Sequence, residues 1–305
     1  MVIVALTISL AFRRKTHKPF FDYEKLVFDD LQQHKHIWIK KATGLGITEF
    51  MLQYIAWLCM KNKDLENAQM CIVTGPRIDL AITLIDRMKR LFTDKGFVTF
   101  DSKETMIELN RVHIEAYPSH HLDSMRGLSN VSFILLDEAD FFPPGQQQDA
   151  RDVSERYIAK SNPWIVMVSM PNAPNGLFER IEKEPVQTCL YERLLLDYTY
   201  GLDRIYTREE IEMAKASPSF EREYTLKYLG LIGNVFHIKD IESAIEKGKR
   251  HNPDVINMHS RKSLGLDPGF GSSPFCLVVT EWVDNQIQIA YAEEFEIPAW
   301  REYRI

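Results

Sequence analysis

The ten residues at positions 131–140 decide the fold, and they read VSFILLDEAD. Their first six positions are mostly apolar, which predicts a strand buried in a parallel sheet. Two carboxylates, Asp137 and Glu138, follow the strand directly. In open α/β sheets, ligands bind at the carboxyl ends of the strands. The first carboxylate could hold Mg2+, and the second could polarise a water molecule for attack on a phosphoryl group. A core strand that ends in a solvated acidic turn is the simpler explanation unless the chain supplies the rest of a phosphate site.

The composition is that of a globular protein, with 305 residues, 45% hydrophobic residues, 26% charged residues and a net charge of −6. This length suffices for two domains. The acidic charge excludes a surface that is basic throughout, but it permits a local basic track for nucleic acid. The four cysteines show neither metal-ligand nor disulfide spacing, which predicts a reducing compartment. The apolar run at 2–12 is too short to span a bilayer, so we expect a first strand or an upstream extension and no membrane partner.

A second segment has the order strand, glycine-containing loop, helix. The strand spans 36–40, the loop at 41–48 reads KATGLGIT, and the apolar residues of 50–59 recur at helical spacing. Loop amides and a helix amino terminus together attract anions, so this order of elements predicts a phosphate-binding loop. An ordinary turn with two glycines is the alternative.

This loop departs from the phosphate-loop pattern G-x-x-x-x-G-K-[ST] at two positions. Lys41 occupies the position of the first glycine, and Ile47 occupies the position of the lysine. A loop without a cation at position 47 would lose its contact with the outer phosphates. Lys41 or Lys40, at the start of the loop, would have to supply that charge instead.

Further elements alternate between strand and helix. An apolar strand at 70–74 is followed by a helical pattern at 78–92, and another largely apolar strand follows at 164–169. This alternation predicts parallel βαβ units and therefore an α/β fold. The segment 106–116 alternates apolar and polar residues on both sides of an Asn-Arg pair, which predicts two short strands joined by a tight turn. We expect this hairpin to be a peripheral addition that decorates the main sheet, and not one of its inner strands.

A polar loop at 120–129 precedes the acidic strand. Its arginine, Arg126, could stabilise charge on a transferring phosphoryl group, or it could form a surface salt bridge. The same loop contains His120, His121 and Asp123. No helical or strand spacing brings these three together, so we expect an ordinary loop there and not a metal site.

Two polar residues lie at the carboxyl end of the strand at 164–169. Ser169 ends the strand and Asn172 follows it, next to the predicted position of Asp137. Such a pair could sense whether a γ-phosphate is present. The alternative is a strand end capped by a turn that contains asparagine and proline.

With these elements in this order, the chain resembles the large subunit of viral terminases, the motor that packages DNA into capsids. The resemblance extends over about 20–298. It includes Phe220-Glu221-Arg222-Glu223-Tyr224 and Val235-Phe236, which are similar to segments that lead out of the terminase ATPase domain. The resemblance implies a RecA-like P-loop NTPase domain with a parallel sheet at 1–232, which includes a small lid or linker subdomain at about 190–232. A linker at 233–261 and the beginning of a ribonuclease H-like nuclease domain at 262–305 would follow.

The resemblance also assigns roles to residues, with ATP and Mg2+ as cofactors. Thr48 and Asp137 would bind the magnesium, Glu138 would be the catalytic base, and Arg126 would be the arginine that such motors offer to a phosphate. Lys41 would be the displaced loop cation. The nucleotide would also contact Thr43, Gly44, Gly46, Thr48, Ser169 and Asn172. Ser169 and Asn172 resemble the coupling motif, although Met170-Pro171 departs from its usual small-hydroxyl triplet.

The region from 262 onward would supply a second metal site. Asp267 precedes a glycine-rich turn and resembles the first-strand aspartate of the terminase nuclease, which binds divalent metal ions that cleave DNA. The other acidic ligands of that family lie well downstream of this position. We therefore expect an incomplete nuclease, and we expect Glu293 and Glu294 to be surface residues.

The resemblance therefore implies an ATP-driven motor that translocates double-stranded DNA in the cytoplasm of an infected or host cell. The resemblance implies a homo-oligomeric ring and, as partners, the portal and the small terminase subunit. The candidate DNA contacts are Arg87, Lys89, Arg90, Lys247, Lys249 and Arg250. A solvated helix face is the simpler explanation of each one. A superfamily 2 helicase-like motor is one alternative, and a nucleotide-binding assembly protein that Ile47 has made hydrolysis-deficient is another. We assign Asp140 no catalytic role and expect it at a turn or interface.

Overall fold

The computed structural model describes residues 20–93, 102–229, 243, 245–246, 260–267, 275–283 and 286–295. The chain divides into two compact units, Met1–Gly233 and Asn234–Ile305. Several predicted features lie outside the described residues: the segment at 2–12, the Val-Phe pair at 235–236, and the basic group Lys247, Lys249 and Arg250.

A seven-stranded sheet forms the centre of the first unit. Its strands, in chain order, are β1 (His36–Lys41), β2 (Gln69–Thr74), β3 (Met106–Leu109), β4 (Val112–Pro118), β5 (Val131–Asp137), β6 (Trp164–Ser169) and β7 (Glu192–Leu196). Their spatial order is β3-β4-β2-β5-β6-β1-β7. Every neighbouring pair is parallel except β3 and β4. The α/β class with a mostly parallel sheet, predicted from the sequence, is confirmed.

Seven helices accompany these strands in the described part of the first unit. They are α1 (Asp22–Gln33), α2 (Ile47–Lys61), α3 (Ile78–Thr93), α4 (Pro144–Glu155), α5 (Leu177–Lys183), α6 (Arg208–Ala214) and α7 (Phe220–Glu223). Buried side chains form two hydrophobic clusters. Along β5, Phe133 and Leu135 belong to one cluster, whereas Ile134 and Leu136 belong to the other. Successive side chains of a strand point to opposite faces, so both faces of β5 are covered, which explains why five of its first six residues are apolar.

The hairpin formed by β3 and β4 corrects one expectation. We expected this pair to decorate the sheet, but β4 pairs in parallel with β2 and is an inner strand. Its alternate residues Val112, Ile114 and Ala116 belong to the same hydrophobic cluster as Met70 and Ile72 of β2, so pairing with β2 continues the apolar face of the sheet. The turn residues Asn110 and Arg111 have φ of 50° and 62°, the left-handed values that a two-residue hairpin turn requires.

The second unit contains a three-stranded antiparallel sheet with the order β10-β9-β8. Its strands are β8 (Arg261–Asp267), β9 (Phe275–Val283) and β10 (Gln286–Phe295). None of the helices in the described part of the chain is both long and apolar enough to cross a membrane.

Candidate nucleotide site

The strand order places three segments of the site next to one another. Because β5, β6 and β1 are consecutive in the sheet and parallel, their carboxyl ends lie at one edge. Asp137 is level with Val168 of β6, and Ser169 is level with Lys40 of β1. The acidic pair, Ser169 and the loop at 41–48 therefore meet at the edge where α/β sheets bind ligands.

Two glycines shape the loop between β1 and α2. Gly44 and Gly46 have φ of +74° and +72°, which only glycine adopts without strain. Gly46 directly precedes α2 and turns the chain into its first helical turn. Ile47 is 1% exposed and belongs to the hydrophobic core. At the position of the usual phosphate-loop lysine, the side chain therefore packs into the core and contributes no charge to the loop.

Thr48 and Asp137 lie in direct contact. The Thr48 hydroxyl donates a 2.7 Å hydrogen bond to Oδ1 of Asp137. A hydroxyl and a carboxylate in this arrangement are suitable ligands for Mg2+. Burial and the neighbouring Glu138 charge raise the pKa of Asp137 to about 6, although the Thr48 hydrogen bond and the Lys41 and Arg87 charges oppose this rise. A bound cation would supply the positive charge that this buried carboxylate lacks.

Glu138 is held by three contacts. Lys41 Nζ forms a 2.6 Å ion pair with Oε1 of Glu138. The Ser169 hydroxyl and the Met170 backbone N–H donate to Oε2 at 3.3 Å each. The Glu138 backbone is left-handed, with φ of 54° and ψ of 42°, a strained conformation for a glutamate. This conformation and these contacts direct the carboxylate toward the space between the loop and the end of β6.

The two adjacent lysines of β1 face opposite sides of the sheet, as successive strand residues must. Lys41 contacts Glu138, whereas Lys40 Nζ lies 2.8 and 2.6 Å from the two carboxylate oxygens of Glu182. Lys40 Nζ also lies 4.6 Å from the centre of the Tyr228 ring. Of the two lysines considered from the sequence, Lys41 is therefore the one beside the acidic pair.

Asp140 is buried, which the sequence did not indicate. It lies in a short 3-10 turn, Ala139–Phe141, as expected of a turn residue, but it is fully buried. Its carboxylate accepts hydrogen bonds from the backbone N–H groups of Asn172 and Phe178, at 2.7 and 3.0 Å. A side chain at position 176 would approach Oδ1 of Asp140 to 2.8 Å, which explains the glycine there. Asp140 thus holds the loop after β6, and the glycine at 176 is the sequence signal of that close approach.

The predicted residues Asn172, Arg126 and Arg87 contact groups other than the acidic pair. The Asn172 side chain donates to the backbone oxygen of Asp140 at 3.1 Å, so it stabilises its own loop. Arg126 is half exposed, and its Nε donates to Asp123 at 2.6 Å. No described contact joins Arg126 to Glu138 or Asp137. Arg87, one of the possible DNA contacts, donates to Glu49 at 2.9 and 3.2 Å.

Asp267 lies at the exposed carboxyl end of β8 in the second unit. Its register partner is Cys276 of β9, and Cys276 is in turn level with Glu294 of β10. No group of three or more metal-binding side chains occurs in the described part of the chain. The nuclease role of Asp267 remains a prediction.

The backbone of the loop is tied to residues that the sequence did not indicate. The Thr43 N–H donates to the backbone oxygen of Glu223 at 2.9 Å, and the Tyr206 hydroxyl donates to the Thr43 oxygen. The Tyr206 ring also lies against Gly44, since a Cβ at position 44 would come within 3.3 Å of it. On the other side of the loop, the Tyr23 hydroxyl donates to the Leu45 oxygen at 2.7 Å. The segment from 197 to 228 therefore holds one side of the loop.

Solved structures of phage proteins share this arrangement of elements. The large terminase of a thermophilic bacteriophage matches with a TM-score of 0.56 at 13% identity, over 92% of this chain and 69% of that chain. The HK97 bacteriophage large terminase matches with a TM-score of 0.57 at 14% identity, over 93% of this chain and 66% of that chain. An ATPase domain mutant of the Thermus phage P74-26 large terminase matches with a TM-score of 0.52 at 14% identity, over 70% of this chain and 95% of that chain. This chain has the fold of phage large terminases.

The terminase fold is shared here without close sequence similarity. No protein-family model matches the sequence, and no curated protein matches it either. Two further structures of the large terminase from the same thermophilic bacteriophage match with TM-scores of 0.55, one in complex with ADP and the other with ATP-γ-S. The resemblance predicted from the sequence is thus confirmed for the RecA-like terminase fold.

Proposed function

We propose that this chain is an ATP-hydrolysing DNA-packaging motor with the mechanism of a P-loop NTPase. The observation that carries the proposal is a pair of contacts at one sheet edge: Thr48 with Asp137, and Lys41 with Glu138. Each pair joins the loop after β1 to the acidic end of β5. This is the arrangement that phosphoryl transfer needs, with groups for a metal, a cation for the phosphates and a base for water.

Each residue has a distinct part in this mechanism. Thr48 and Asp137 would hold Mg2+, which neutralises charge on the phosphates as the bond to the leaving group breaks. Glu138 orients the attacking water and accepts its proton. Lys41 supplies the cation that Ile47 does not, because its ammonium group reaches the acidic pair from the start of the loop. Ser169 and the Met170 N–H keep the Glu138 carboxylate in place.

The structure supports hydrolysis over simple nucleotide binding. A binding protein that had lost catalysis would have no need for a lysine beside a strained, positioned glutamate. A superfamily 2 helicase would require a second RecA-like parallel sheet after the first, whereas the strands described after residue 233 are antiparallel. Neither alternative accounts for both contact pairs and the described second unit.

The partners and setting of the motor belong to the same proposal. The substrate would be double-stranded DNA gripped through its phosphates, and the chain would act as a homo-oligomeric ring with a portal and a small terminase subunit in the cytoplasm of the infected or host cell. Arg126 would act on the nucleotide of its own or a neighbouring subunit. It would have to leave Asp123 to do so, and an exposed ion pair costs little to break.

The test is ATP turnover, with and without DNA, by the wild type and by Glu138→Gln. We expect the variant to lose about 100-fold or more of the turnover, because it lacks the general base, while it still binds ATP-γ-S. The matched control is Glu209→Gln, a change to an exposed glutamate of α6, which we expect to leave turnover unchanged. Wild-type turnover no faster than that of Glu138→Gln, with DNA present, would overturn the motor proposal and favour an assembly protein.

A further inference from the structure

The proposed site has few cations for the charge it would have to neutralise. A nucleoside triphosphate carries several negative charges, which NTPases usually balance with a metal, the loop lysine and at least one further cation. In this loop the side chain at 47 is a buried isoleucine. Lys41 already neutralises Glu138 through their 2.6 Å ion pair. A second protein cation close to the loop is therefore expected.

Arg222 lies where such a second cation is expected. It lies on α7, whose last residue, Glu223, accepts a 2.9 Å hydrogen bond from the Thr43 N–H in the loop. Its guanidinium carbon lies 5.9 Å from the centre of the Phe141 ring, three residues after Glu138. Since the loop follows β1 and Phe141 follows β5, α7 is bonded to the loop side of the site through Glu223, and the Arg222 guanidinium lies near the residue that follows the acidic pair.

The guanidinium also retains unused donors. One terminal nitrogen of Arg222 donates to Glu223 at 3.0 Å, but Nε is buried and has no hydrogen-bond partner in the described part of the chain. Its side chain is 17% exposed. A buried donor without a partner is unfavourable, so such a group is retained where a ligand completes it.

The other arginines near this edge are engaged differently. Arg87 makes two hydrogen bonds to Glu49 across α2 and α3. The side chains of Arg126 and Arg77 are 50% and 74% exposed, and each pairs with an aspartate nearby in the sequence, Asp123 and Asp79 respectively. Among these four arginines, Arg222 alone combines a side chain that is 17% exposed, a neighbouring residue bonded to the loop and a donor without a partner in the described part of the chain.

We propose that Arg222 contacts the terminal phosphate of the bound nucleotide and that it is the second protein cation of the site. This inference rests on the proposed function, because it assumes that the loop binds a nucleoside triphosphate. The contact would join α7 to the nucleotide directly. ADP lacks the terminal phosphate, so α7 would be bound to the triphosphate and released from the diphosphate.

The experiment compares the binding of ATP-γ-S and of ADP, both with Mg2+, to the full chain and to Arg222→Gln by titration calorimetry. We expect the variant to lose about 10- to 100-fold in affinity for ATP-γ-S, the worth of a charge-assisted hydrogen bond, while its affinity for ADP is unchanged. Arg222→Lys, which retains the charge, should recover part of the loss. The control is Arg208→Ala on the neighbouring helix, an exposed arginine paired with Asp203, which should bind both nucleotides as the wild type does.

If the wild type hydrolyses ATP, two results would overturn the inference about Arg222 and leave the proposed function unaffected. One is equal affinity of wild type and Arg222→Gln for ATP-γ-S. The other is an equal loss of affinity for ATP-γ-S and ADP in both Arg222 variants, because a residue that only supports the fold would weaken both nucleotides alike. A wild type that neither binds nor hydrolyses ATP would instead remove the proposed function itself.

Discussion

The two adjacent lysines at the end of β1 pair with different carboxylates, because successive side chains of a strand point to opposite faces. Lys41 faces the acidic pair and Lys40 faces Glu182, with side-chain exposures of 9% and 5%. Both are buried cations paired with a carboxylate. Only Lys41 lies on the side of the sheet where the nucleotide would bind.

Substitution of each lysine by methionine should separate these roles. We expect Lys41→Met to lose ATP binding and turnover, because the site loses its loop cation. Lys40→Met should retain turnover but lower the free energy of unfolding by about 1–3 kcal/mol, because Glu182 loses a charged partner while 29% exposed. Urea unfolding and ATP turnover measure the two effects. If Lys40→Met abolished turnover at unchanged stability, the roles would be the reverse of those proposed.

Asp137 gives a prediction on pH. Its pKa is raised from 3.8 to about 6 in the folded chain. A carboxylate with a raised folded pKa binds more protons in the folded than in the unfolded state, so stability falls as pH rises from about 4 to about 6. Asp137→Asn lacks this effect. We expect the variant, without nucleotide, to melt at a higher temperature than the wild type at pH 7 and at a similar temperature near pH 4.

Magnesium should reverse the stability ranking. Because Mg2+ needs the ionised carboxylate, Mg-ATP should stabilise the wild type at pH 7 and lose this effect as pH falls through about 6. Asp137→Asn should gain no stability from Mg-ATP at any pH. Equal stabilisation of both proteins would show that Asp137 does not bind the metal.

At the scale of elements, the phosphate loop depends on a segment far along the chain. The Tyr206 hydroxyl contacts the Thr43 oxygen across 163 positions, and α7 contacts the Thr43 N–H. A glycine-containing loop has high conformational freedom, so its shape is fixed by such contacts from outside. The described part of the segment after β7 therefore acts as a brace for the loop.

Tyr206→Phe tests this brace. The change removes one hydrogen bond and leaves the ring against Gly44, so we expect a loss of about 0.5–1.5 kcal/mol in the local stability of the loop. Hydrogen exchange should be faster for the amides of 43–46, and KM for ATP should rise. Tyr200→Phe is the matched control, since Tyr200 lies in the same segment and is 41% exposed. Unchanged exchange at 43–46 in Tyr206→Phe would mean that the hydroxyl does not hold the loop.

At the scale of the whole molecule, the chain consists of two compact units that divide after Gly233. All of the described contacts of the nucleotide site lie within the first unit. A unit with its own core and its own site can fold and act alone. The two hydrophobic clusters of the first unit likewise draw all of their residues from within it.

Truncation after Gly233 should therefore retain basal ATP turnover. We expect the shortened chain to unfold in one cooperative transition and to bind ATP-γ-S as the full chain does. Calorimetric melting and a turnover assay without DNA measure this. A shortened chain that folds but has lost basal turnover would show that the second unit contributes to the nucleotide site.

Much of the fold could be predicted from particular stretches of the sequence. The apolar run that ends at Asp137 predicted a buried strand of a parallel sheet, because a strand covered on both faces has few polar positions. The loop at 41–48 was predicted from its two glycines and from the helical pattern after Gly46. Both are signals of local backbone conformation. The contact of Thr48 with Asp137 depends in addition on the strand order, since β6 lies between β1 and β5 and the contact crosses its carboxyl end.

The sequence by itself thus determined the strands, the loop and the positions of the acidic pair, because hydrophobic periodicity and glycine conformation are encoded locally. Only the tertiary structure decided that β4 is an inner strand, that Asp140 is buried beneath the loop after β6, that Tyr206 contacts the loop and that Arg222 lies beside Phe141. These contacts join distant parts of the chain, and several of them end on backbone atoms. Every residue carries the same backbone groups, so no pattern of side chains marks which of them will be bound.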